Sequence, residues 1–246
     1  MSISETFSHE GGKDLASRYC RHMLLAEMGQ EGQERICKAK VLVVGVGGLG
    51  SPVALYLAAS GVGAIGLVDA DVVDESNLHR QVIHDTASAG ISKVLSAKAR
   101  MLAVNPEMQV NTYNMMFDAG NAEEIIRDYD FVVDATDNFT SKYLINDVCV
   151  RIGKPFSHGS VIRFGGMTMT HIPGSSTYRD VFPVQPETRD EDLSSHVGIL
   201  GTVPGIIGTI QATEVLKYVS GVGELLINRL LTFDALTMQF SVINLA

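Results

Sequence analysis

The sequence predicts an α/β domain whose doubly wound, mostly parallel sheet is preceded by helices and extended by antiparallel strands at its C-terminal end. Two patterns support this prediction. Short apolar runs alternate with longer amphipathic segments over residues 40–161, as expected for parallel strands joined by helices. Beyond Gly159 short strands with alternating polarity follow each other directly, which favours antiparallel pairing.

The first elements are predicted from the spacing of apolar residues. Leu15, Tyr19, Met23 and Met28 recur at helical spacing, so we expect one or two helices within residues 14–38. The alternating part that follows is predicted to contain strands at 41–44, 64–68, 109–114, 131–134 and 156–161, and helices at 52–60, 92–105, 121–129 and 141–152.

The C-terminal part is predicted to complete the same domain. A strand is expected at 166–172, a buried helix at 202–219 and a last hairpin at 225–233 and 239–245. Turn formers and charges at about 173–197 predict a mobile loop that covers the substrate. We therefore expect one domain over residues 1–246, with a nucleotide-binding half at 40–161 and an acceptor-binding half at 162–246.

Composition restricts the class of partner. The 246 residues are 46% hydrophobic and carry a formal net charge of −9, which argues against binding to nucleic acid or to an anionic membrane surface. No apolar run reaches the length of about 18 residues that a membrane span needs, and residues 1–12 lack the apolar core of a secretory signal. We therefore expect a cytoplasmic protein.

A glycine-rich turn after the first predicted strand indicates a nucleotide site. Its glycines are Gly45, Gly47, Gly48 and Gly50, and an amphipathic helix follows directly. Glycine lets backbone N–H groups approach a phosphate, which the positive N-terminal end of the helix also attracts. Asp69 ends the next apolar run, near the distance of about 20 residues expected for an acid that binds ribose hydroxyls. The alternative is a tight turn that only packs helix on sheet.

The residues after Asp69 favour a triphosphate over a dinucleotide. A dinucleotide needs neutral space beyond the turn, whereas this stretch offers the polar candidates Asp71, Asn77, Arg80, Gln81 and Lys93. Two cations beyond the turn neutralise β- and γ-phosphates as a leaving pyrophosphate forms. Two alternatives remain open. The alternative for Arg80 is a surface ion pair with Asp74 or Glu75, and the alternative for Lys93 is a place on a solvated helix face.

Two further candidates follow the predicted strand at 131–134. Asp137 and Asn138 lie where the carboxyl ends of strands meet ligands in open α/β sheets. The alternative for Asp137 is the N-cap of a helix that starts at Ser141.

Together these segments resemble the ThiF/MoeB/HesA family, the bacterial relatives of ubiquitin-activating enzymes. The resemblance runs from about Arg18 to Leu245 and implies their Rossmann-like fold. The matching motifs, in family order and spacing, are Arg18-Tyr-Cys-Arg21, Gly45-Val-Gly-Gly-Leu-Gly50, Asp69-Ala-Asp71, Ser76-Asn-Leu-His-Arg80-Gln81, Lys93, Asp134-Ala-Thr-Asp137-Asn138, and Gly201-Thr-Val-Pro-Gly205 running into Gln211-Ala-Thr-Glu214.

The resemblance implies a role for individual residues. Asp69 would hold the ribose of ATP, with the phosphates at Asn77, Arg80 and Lys93. Asp137 would hold Mg²⁺.

The implied activity is transfer of AMP to a carboxylate with release of pyrophosphate. The catalytic set is then Arg21, Arg80, Lys93 and Asp137, and Arg21 would reach across a homodimer to the γ-phosphate bound by the partner. This chemistry needs cations to screen two anionic reactants and needs no general base, because a carboxylate is already ionised at neutral pH.

The three cysteines, Cys20, Cys37 and Cys149, are widely separated. A Cys₄ zinc site needs four thiolates, so we expect no structural zinc. Where the resemblance places the transferring cysteine of its relatives, this chain has Ser194 and Ser195, so we expect no covalent acyl-enzyme and direct attack on the acyl-adenylate by the thiolate of a separate protein or by a sulfide donor. Cys149 lies in an apolar helical pattern and is predicted to be buried.

Three classes of function remain open. In the first, the substrate is the C-terminal glycine of a ubiquitin-like sulfur-carrier protein. In the second, it is a small carboxylate, such as the guanylylpyridinol of iron-hydrogenase cofactor assembly that one branch of the family activates. The third is an NAD-binding or non-catalytic subunit. The candidates for lining the acceptor channel are His158, His171, His196, Arg163 and Arg179, and the alternative for the histidines is ordinary surface or loop placement.

Overall fold

The structure is a computed structural model, and it describes residues 18–186 and 197–245. Its centre is an eight-stranded mixed sheet with the order β3-β2-β1-β4-β5-β6-β7-β8. The strands are β1 (Lys40–Val44), β2 (Ala64–Val68), β3 (Gln109–Tyr113), β4 (Phe131–Asp134), β5 (Phe156–Ile162), β6 (Gly165–His171), β7 (Arg229–Asp234) and β8 (Gln239–Asn244).

Eight α-helices lie in the described part of the chain. Two short 3₁₀ turns, Glu75–Asn77 and Thr86–Ser88, lie between β2 and the fourth helix. The α-helices are α1 (Cys20–Met23), α2 (Gly29–Lys38), α3 (Gly50–Ala59), α4 (Lys93–Val104), α5 (Ala122–Arg127), α6 (Phe139–Ile152), α7 (Tyr178–Val181) and α8 (Thr202–Ser220).

The apolar core lies on both faces of the sheet because the side chains of a strand alternate between the faces. Val41 and Val43 of β1 pack with α2, α3, α4 and α8, whereas Leu42 and Val44 pack with α5 and α6. β1 and β4 are covered on both faces, which explains why their sequences are apolar throughout.

The strand order positions the candidate site. Strands β1 to β5 run parallel. From β1 the chain adds β2 and β3 on one side, and it then crosses to the other side of β1 to add β4 and β5. Val44 pairs with Val68 on one side and with Asp134 on the other, so the ends of β1, β2 and β4 meet at one edge. Ligands of open α/β sheets bind at this carboxyl edge, where the strand order reverses.

The predicted fold class is confirmed: a parallel half is extended by the antiparallel strands β6, β7 and β8. Helices α3 and α6 each begin two residues earlier than predicted, and the last hairpin begins at Arg229 rather than at residue 225. The predicted loop at 173–197 contains the short helix α7, and its residues 187–196 lie outside the described part. None of the described helices is both long and apolar enough to cross a membrane.

Candidate nucleotide-binding site

The glycine turn joins β1 to α3 at the carboxyl edge, and two of its glycines are required by geometry. Gly45 has a φ of +92°, which side-chain-bearing residues rarely adopt, and a Cβ there would lie 2.6 Å from the carbonyl oxygen of Ala135. A Cβ on Gly50 would lie 2.0 Å from the carbonyl oxygen of Gly45. The turn is therefore packed tightly against the loop that follows β4.

Asp69 holds the glycine turn from the end of β2. Its Oδ2 accepts a hydrogen bond from the Val46 N–H at 2.8 Å, and its Oδ1 accepts one from the Asp71 N–H at 2.9 Å. Burial raises the pKa of Asp69, while the nearby Lys93 ammonium and these two hydrogen bonds oppose the rise. Each carboxylate oxygen has a second lone pair, so the predicted contact with ribose hydroxyls is compatible with this geometry.

The segment after the first 3₁₀ turn brings the predicted phosphate-binding residues to the glycine turn. Arg80 is half-buried and donates from Nη2 to Oδ1 of Asn77. A Cβ on Gly48 would lie 3.5 Å from Cγ of Arg80, and one on Gly47 would lie 3.5 Å from Nε2 of Gln81. The structure thus places Arg80 and Gln81 beside the turn, with Asn77 hydrogen-bonded to Arg80. Among the described residues Arg80 forms no ion pair with an acidic side chain.

Lys93 is the first residue of α4 and is buried. Its Nζ lies 2.8 Å from Oδ2 of Asp71, and the side chains of the two residues are 8% and 69% exposed. The alternative of a solvated helix face is therefore wrong for Lys93. Because its charge also acts on Asp69, Lys93 lies on the same side of the turn as the predicted ribose contact.

Asp137 and Asn138 follow β4. Asp137 is exposed, whereas Asn138 is the N-cap of α6 and its side chain accepts a hydrogen bond from the Ser141 N–H at 2.8 Å. The cap is therefore Asn138, one residue later than the alternative considered for Asp137. The cap uses the carboxamide oxygen of Asn138, so a nucleotide would be contacted through the NH₂ group of this side chain.

The donor set around Asp137 fits Mg²⁺ held mainly by a substrate. No group of three or more His, Cys, Asp or Glu side chains suited to a metal occurs among the described residues. Mg²⁺ commonly takes one or two carboxylates and completes its shell with phosphate oxygens and water. The exposed carboxylate of Asp137, in the loop that packs against the glycine turn, meets that requirement.

A buried charged cluster behind the Asp137 loop was not predicted from the sequence. Lys142 Nζ donates to the carbonyl oxygens of Thr136 and Gly159, both at 2.7 Å, and lies 3.4 Å from each carboxylate oxygen of Asp134. Asp134 also accepts from Nδ1 of His158 at 2.7 Å. Burial would raise the pKa of Asp134, but Lys142, His158 and Thr136 outweigh it and lower the pKa to about 2.

The cluster fixes the loop that carries Asp137. Thr136 donates to Asp134 Oδ1 through its backbone N–H at 3.1 Å and through its hydroxyl at 2.7 Å, while its carbonyl accepts from Lys142. One signal in the sequence could have revealed Lys142, because it lies at helical spacing from Asn146 and from Cys149, which was predicted to be buried. In the structure all three side chains are buried.

Several other predicted positions can also be placed. Arg21 is exposed on α1, and no described contact joins it to the glycine turn. Cys149 is fully buried as predicted, and burial raises its pKa; Cys20 and Cys37 are half-buried free thiols. Ser194 and Ser195 lie outside the described residues.

The histidines considered for the acceptor channel are core residues. His158 is fully buried between Asp134 and the ring of Tyr178, and His171 is 2% exposed against Phe156. Both the channel and the surface placement are therefore wrong for these two residues. Arg163 is exposed, in the turn between β5 and β6. Arg179 pairs with Asp147, with Nε 2.6 Å from Oδ1, and His196 lies outside the described residues.

The sheet order and the glycine turn at its switch point define a nucleotide-binding α/β protein. The family comparison is more specific: the profile described as "ThiF family" matches residues 19–246. The chain belongs to the ThiF family.

Curated relatives are similar over nearly the whole chain. The "Adenylyltransferase and sulfurtransferase MOCS3-1" of Zea mays is 45% identical over 99% of this chain and 53% of its own length. The "SAMP-activating enzyme E1" of Haloferax volcanii is 44% identical over 92% of this chain and 84% of its own. The "Sulfur carrier protein adenylyltransferase" of Thermus thermophilus is 43% identical over 93% of this chain and 86% of its own length. The chain spans about half the length of the plant relatives that it matches.

Solved structures share the fold at lower identity. The crystal structure of E. coli MccB with ATP has a TM-score of 0.78 and 23% identity, and the match covers 88% of this chain and 66% of that one. The crystal structure of PaaA has a TM-score of 0.82 and 24% identity, and the match covers 100% of this chain and 78% of that one.

Proposed function

We propose that this protein is an adenylyltransferase that activates a carboxylate as its acyl-AMP. The observation that carries the proposal is the meeting of Arg80 and the buried Lys93 with the glycine turn and Asp69 at one sheet edge. Four curated relatives named as adenylyltransferases or as an activating enzyme support it, each at more than 40% identity.

The reaction forms one bond to phosphorus and breaks another. A carboxylate oxygen attacks the α-phosphorus of ATP, and the bond from that phosphorus to the bridging oxygen breaks. The electron pair leaves with pyrophosphate, which is stabilised by charge-assisted hydrogen bonds from Arg80 and Lys93. Asp69 orients the ribose, and the glycine turn donates backbone N–H groups to phosphate oxygens. Asp137 and the phosphates would together hold Mg²⁺, which would supply further neutralisation of charge.

The proposed substrate is the C-terminal glycine of a ubiquitin-like sulfur-carrier protein. The Thermus thermophilus relative is named for a sulfur-carrier protein and the Haloferax volcanii relative for the SAMP that it activates, which supports a carrier-protein substrate. Adenylation of a small carboxylate, or NAD binding without catalysis, has no comparable support. We also propose that the active form is a homodimer in which Arg21 serves the partner's nucleotide, that it needs no structural zinc, and that a separate thiol protein receives the acyl group.

The direct test is ATP–pyrophosphate exchange, measured with a sulfur-carrier protein that ends in Gly-Gly. The matched control is the same carrier without its last glycine, and a panel of small carboxylic acids tests the second substrate class. We expect exchange only with the intact carrier and an acyl-AMP mass on its C-terminus. Exchange with a small acid alone would assign the other substrate class.

Absence of exchange with every carboxylate, together with tight binding of NAD, would contradict the activity itself. Calorimetry with ATP and with NAD, each with and without Mg²⁺, separates these cases. We expect a response to ATP that Mg²⁺ strengthens and none to NAD.

A further inference from the structure

The buried side chain of His84 joins the glycine turn to α4. Its Nε2 lies 3.1 Å from the carbonyl oxygen of Val46, and its Nδ1 lies 2.9 Å from Oγ of Ser96. A carbonyl oxygen can only accept, so Nε2 carries a proton, and in the neutral ring Nδ1 then accepts from the Ser96 hydroxyl. We assign His84 as a neutral donor to the turn. Burial agrees with this assignment, since it lowers the pKa of His84.

The peptide between Val46 and Gly47 is thereby held from two sides. The Val46 N–H donates to Asp69, and the Val46 carbonyl accepts from His84. Because no cis peptide occurs among the described residues, the Gly47 N–H points opposite to the Val46 carbonyl. It thus faces away from His84, and within the described part of the chain no backbone carbonyl receives it.

The same glycine that lets a phosphate approach also makes this peptide easy to turn over. A flip of the Val46–Gly47 peptide changes ψ of residue 46 and φ of residue 47, and glycine tolerates either sign of φ. The flipped peptide would present its carbonyl oxygen, with partial negative charge, to the phosphates. A donor behind the turn favours the orientation in which the N–H faces the ligand, because it gives the Val46 carbonyl a partner in that orientation.

We propose that His84 is a positioning residue for phosphate recognition, whose Nε2–H holds the Val46 carbonyl so that the Gly47 N–H is presented to a nucleotide phosphate. The proposal rests on the proposed binding of ATP at this turn. The charged groups that act on His84 are Lys93 of α4, Asp69 at the end of β2 and Asp85 beside it in sequence.

Two amide variants that differ by one methylene test the proposal. The side chain of His84→Gln can place an N–H near the position of Nε2, whereas that of His84→Asn ends near Nδ1 and is too short to reach Val46. Affinity for ATP and for adenosine, which lacks phosphates, is measured by calorimetry. We expect His84→Asn to bind ATP about 10- to 100-fold more weakly, the effect of one charge-assisted hydrogen bond, and His84→Gln to stay within about threefold of the wild type.

Adenosine distinguishes positioning from general damage to the fold. Its affinity should be the same in the wild type and both variants, because the contact concerns only the phosphates. If His84→Asn does not fold, Ser96→Ala decides: loss of the hydroxyl that fixes the tautomer should weaken ATP binding about two- to fivefold and leave adenosine unchanged.

The result that would overturn the inference is wild-type ATP affinity in His84→Asn, or in Ser96→Ala if only that variant folds. An equal loss of ATP and adenosine affinity would also overturn it, because that result indicates a structural role alone. Failure of the wild-type protein to bind ATP would instead contradict the proposed function, so the two failures are distinguishable.

Discussion

The ammonium of Lys93 is buried against an exposed carboxylate, that of Asp71, at a distance of 2.8 Å. Lys93 is also the first residue of α4, where the helix dipole disfavours a positive charge. A buried cation in this position is costly, and Asp71 is its one ion-pair partner among the described residues. This arrangement suits an ammonium group that binds an anionic ligand, such as a phosphate.

Lys93→Met should therefore separate stability from activity. The free energy of unfolding should change by less than about 1 kcal/mol, because the lost ion pair has one exposed partner. The rate of ATP–pyrophosphate exchange should fall about 10²- to 10³-fold through lost transition-state stabilisation. Arg100→Met, at an exposed position of the same helix, is the matched control and should leave both quantities near wild type. Equal exchange rates in the two variants would place the phosphates elsewhere.

Sequence patterns located this part of the site because its chemistry is local. The glycine turn and Asp69 each follow a predicted strand, Arg80 lies a short distance along the chain from Asp69, and sheet topology brings the two strand ends together. The roles of Lys142 and His84 were not visible in the same way. Their partners include the carbonyl oxygens of Gly159, Thr136 and Val46, and a carbonyl acceptor has no signature in the sequence because every residue carries one.

Histidines were misplaced for a related reason. A histidine in a short strand with alternating polarity is compatible with either face of the sheet, and only packing decides. In β5, His158 faces Tyr178 and the Asp134 carboxylate, contacts that depend on α7 and on a neighbouring strand. The fold class was easier to predict than these contacts, since the alternation of strand and helix is spread over many residues.

Lys142 is expected to be the most important side chain for stability near the site. Lys142→Met would leave the fully buried Asp134 carboxylate without its ammonium partner, at a cost of about 3–5 kcal/mol. Urea denaturation provides the measurement. The control on the same helix is Arg151→Met, whose ion pair with Glu123 is exposed and screened by solvent and should contribute far less to stability.

A second substitution shows whether the loss comes from the uncompensated charge. Asp134→Asn removes that charge with little change in shape, so the double variant Asp134→Asn with Lys142→Met should recover part of the stability lost in Lys142→Met. If the two single effects simply add, charge pairing is not the cause, and the carbonyl contacts of Lys142 account for its contribution.

Arg21 is expected to act on the nucleotide of the other protomer. Arg21→Ala and Lys93→Ala should each reduce exchange strongly as homodimers. Mixed dimers would contain one site that keeps Lys93 of its own chain and receives Arg21 from the partner, so mixing should restore up to about half of the wild-type activity per heterodimer. Subunit exchange is verified by native mass spectrometry. Exchange of subunits without any recovery would mean that Arg21 acts within its own chain or not at all.

The pH dependence of stability should contain a contribution from His84. Burial lowers the pKa of His84 in the folded protein, and Lys93 adds to this effect, while the Val46 hydrogen bond and Asp69 oppose it. In the unfolded chain the pKa returns to about 6.5. The unfolded state therefore takes up a proton more readily, so the contribution is fully present above about pH 6.5 and is lost as the pH falls through the folded-state value.

His84→Gln isolates this contribution because glutamine does not titrate. The pKa values of the buried His158 and His171 are also lowered by burial, but both residues are present in the wild type and in the variant, so their effects cancel in the difference. Urea denaturation between about pH 7.5 and about pH 5 should show that the wild type loses more stability than His84→Gln. Parallel curves for the two proteins would mean that His84 titrates alike in the folded and unfolded states, which would contradict its assignment as a buried, neutral donor to the glycine turn.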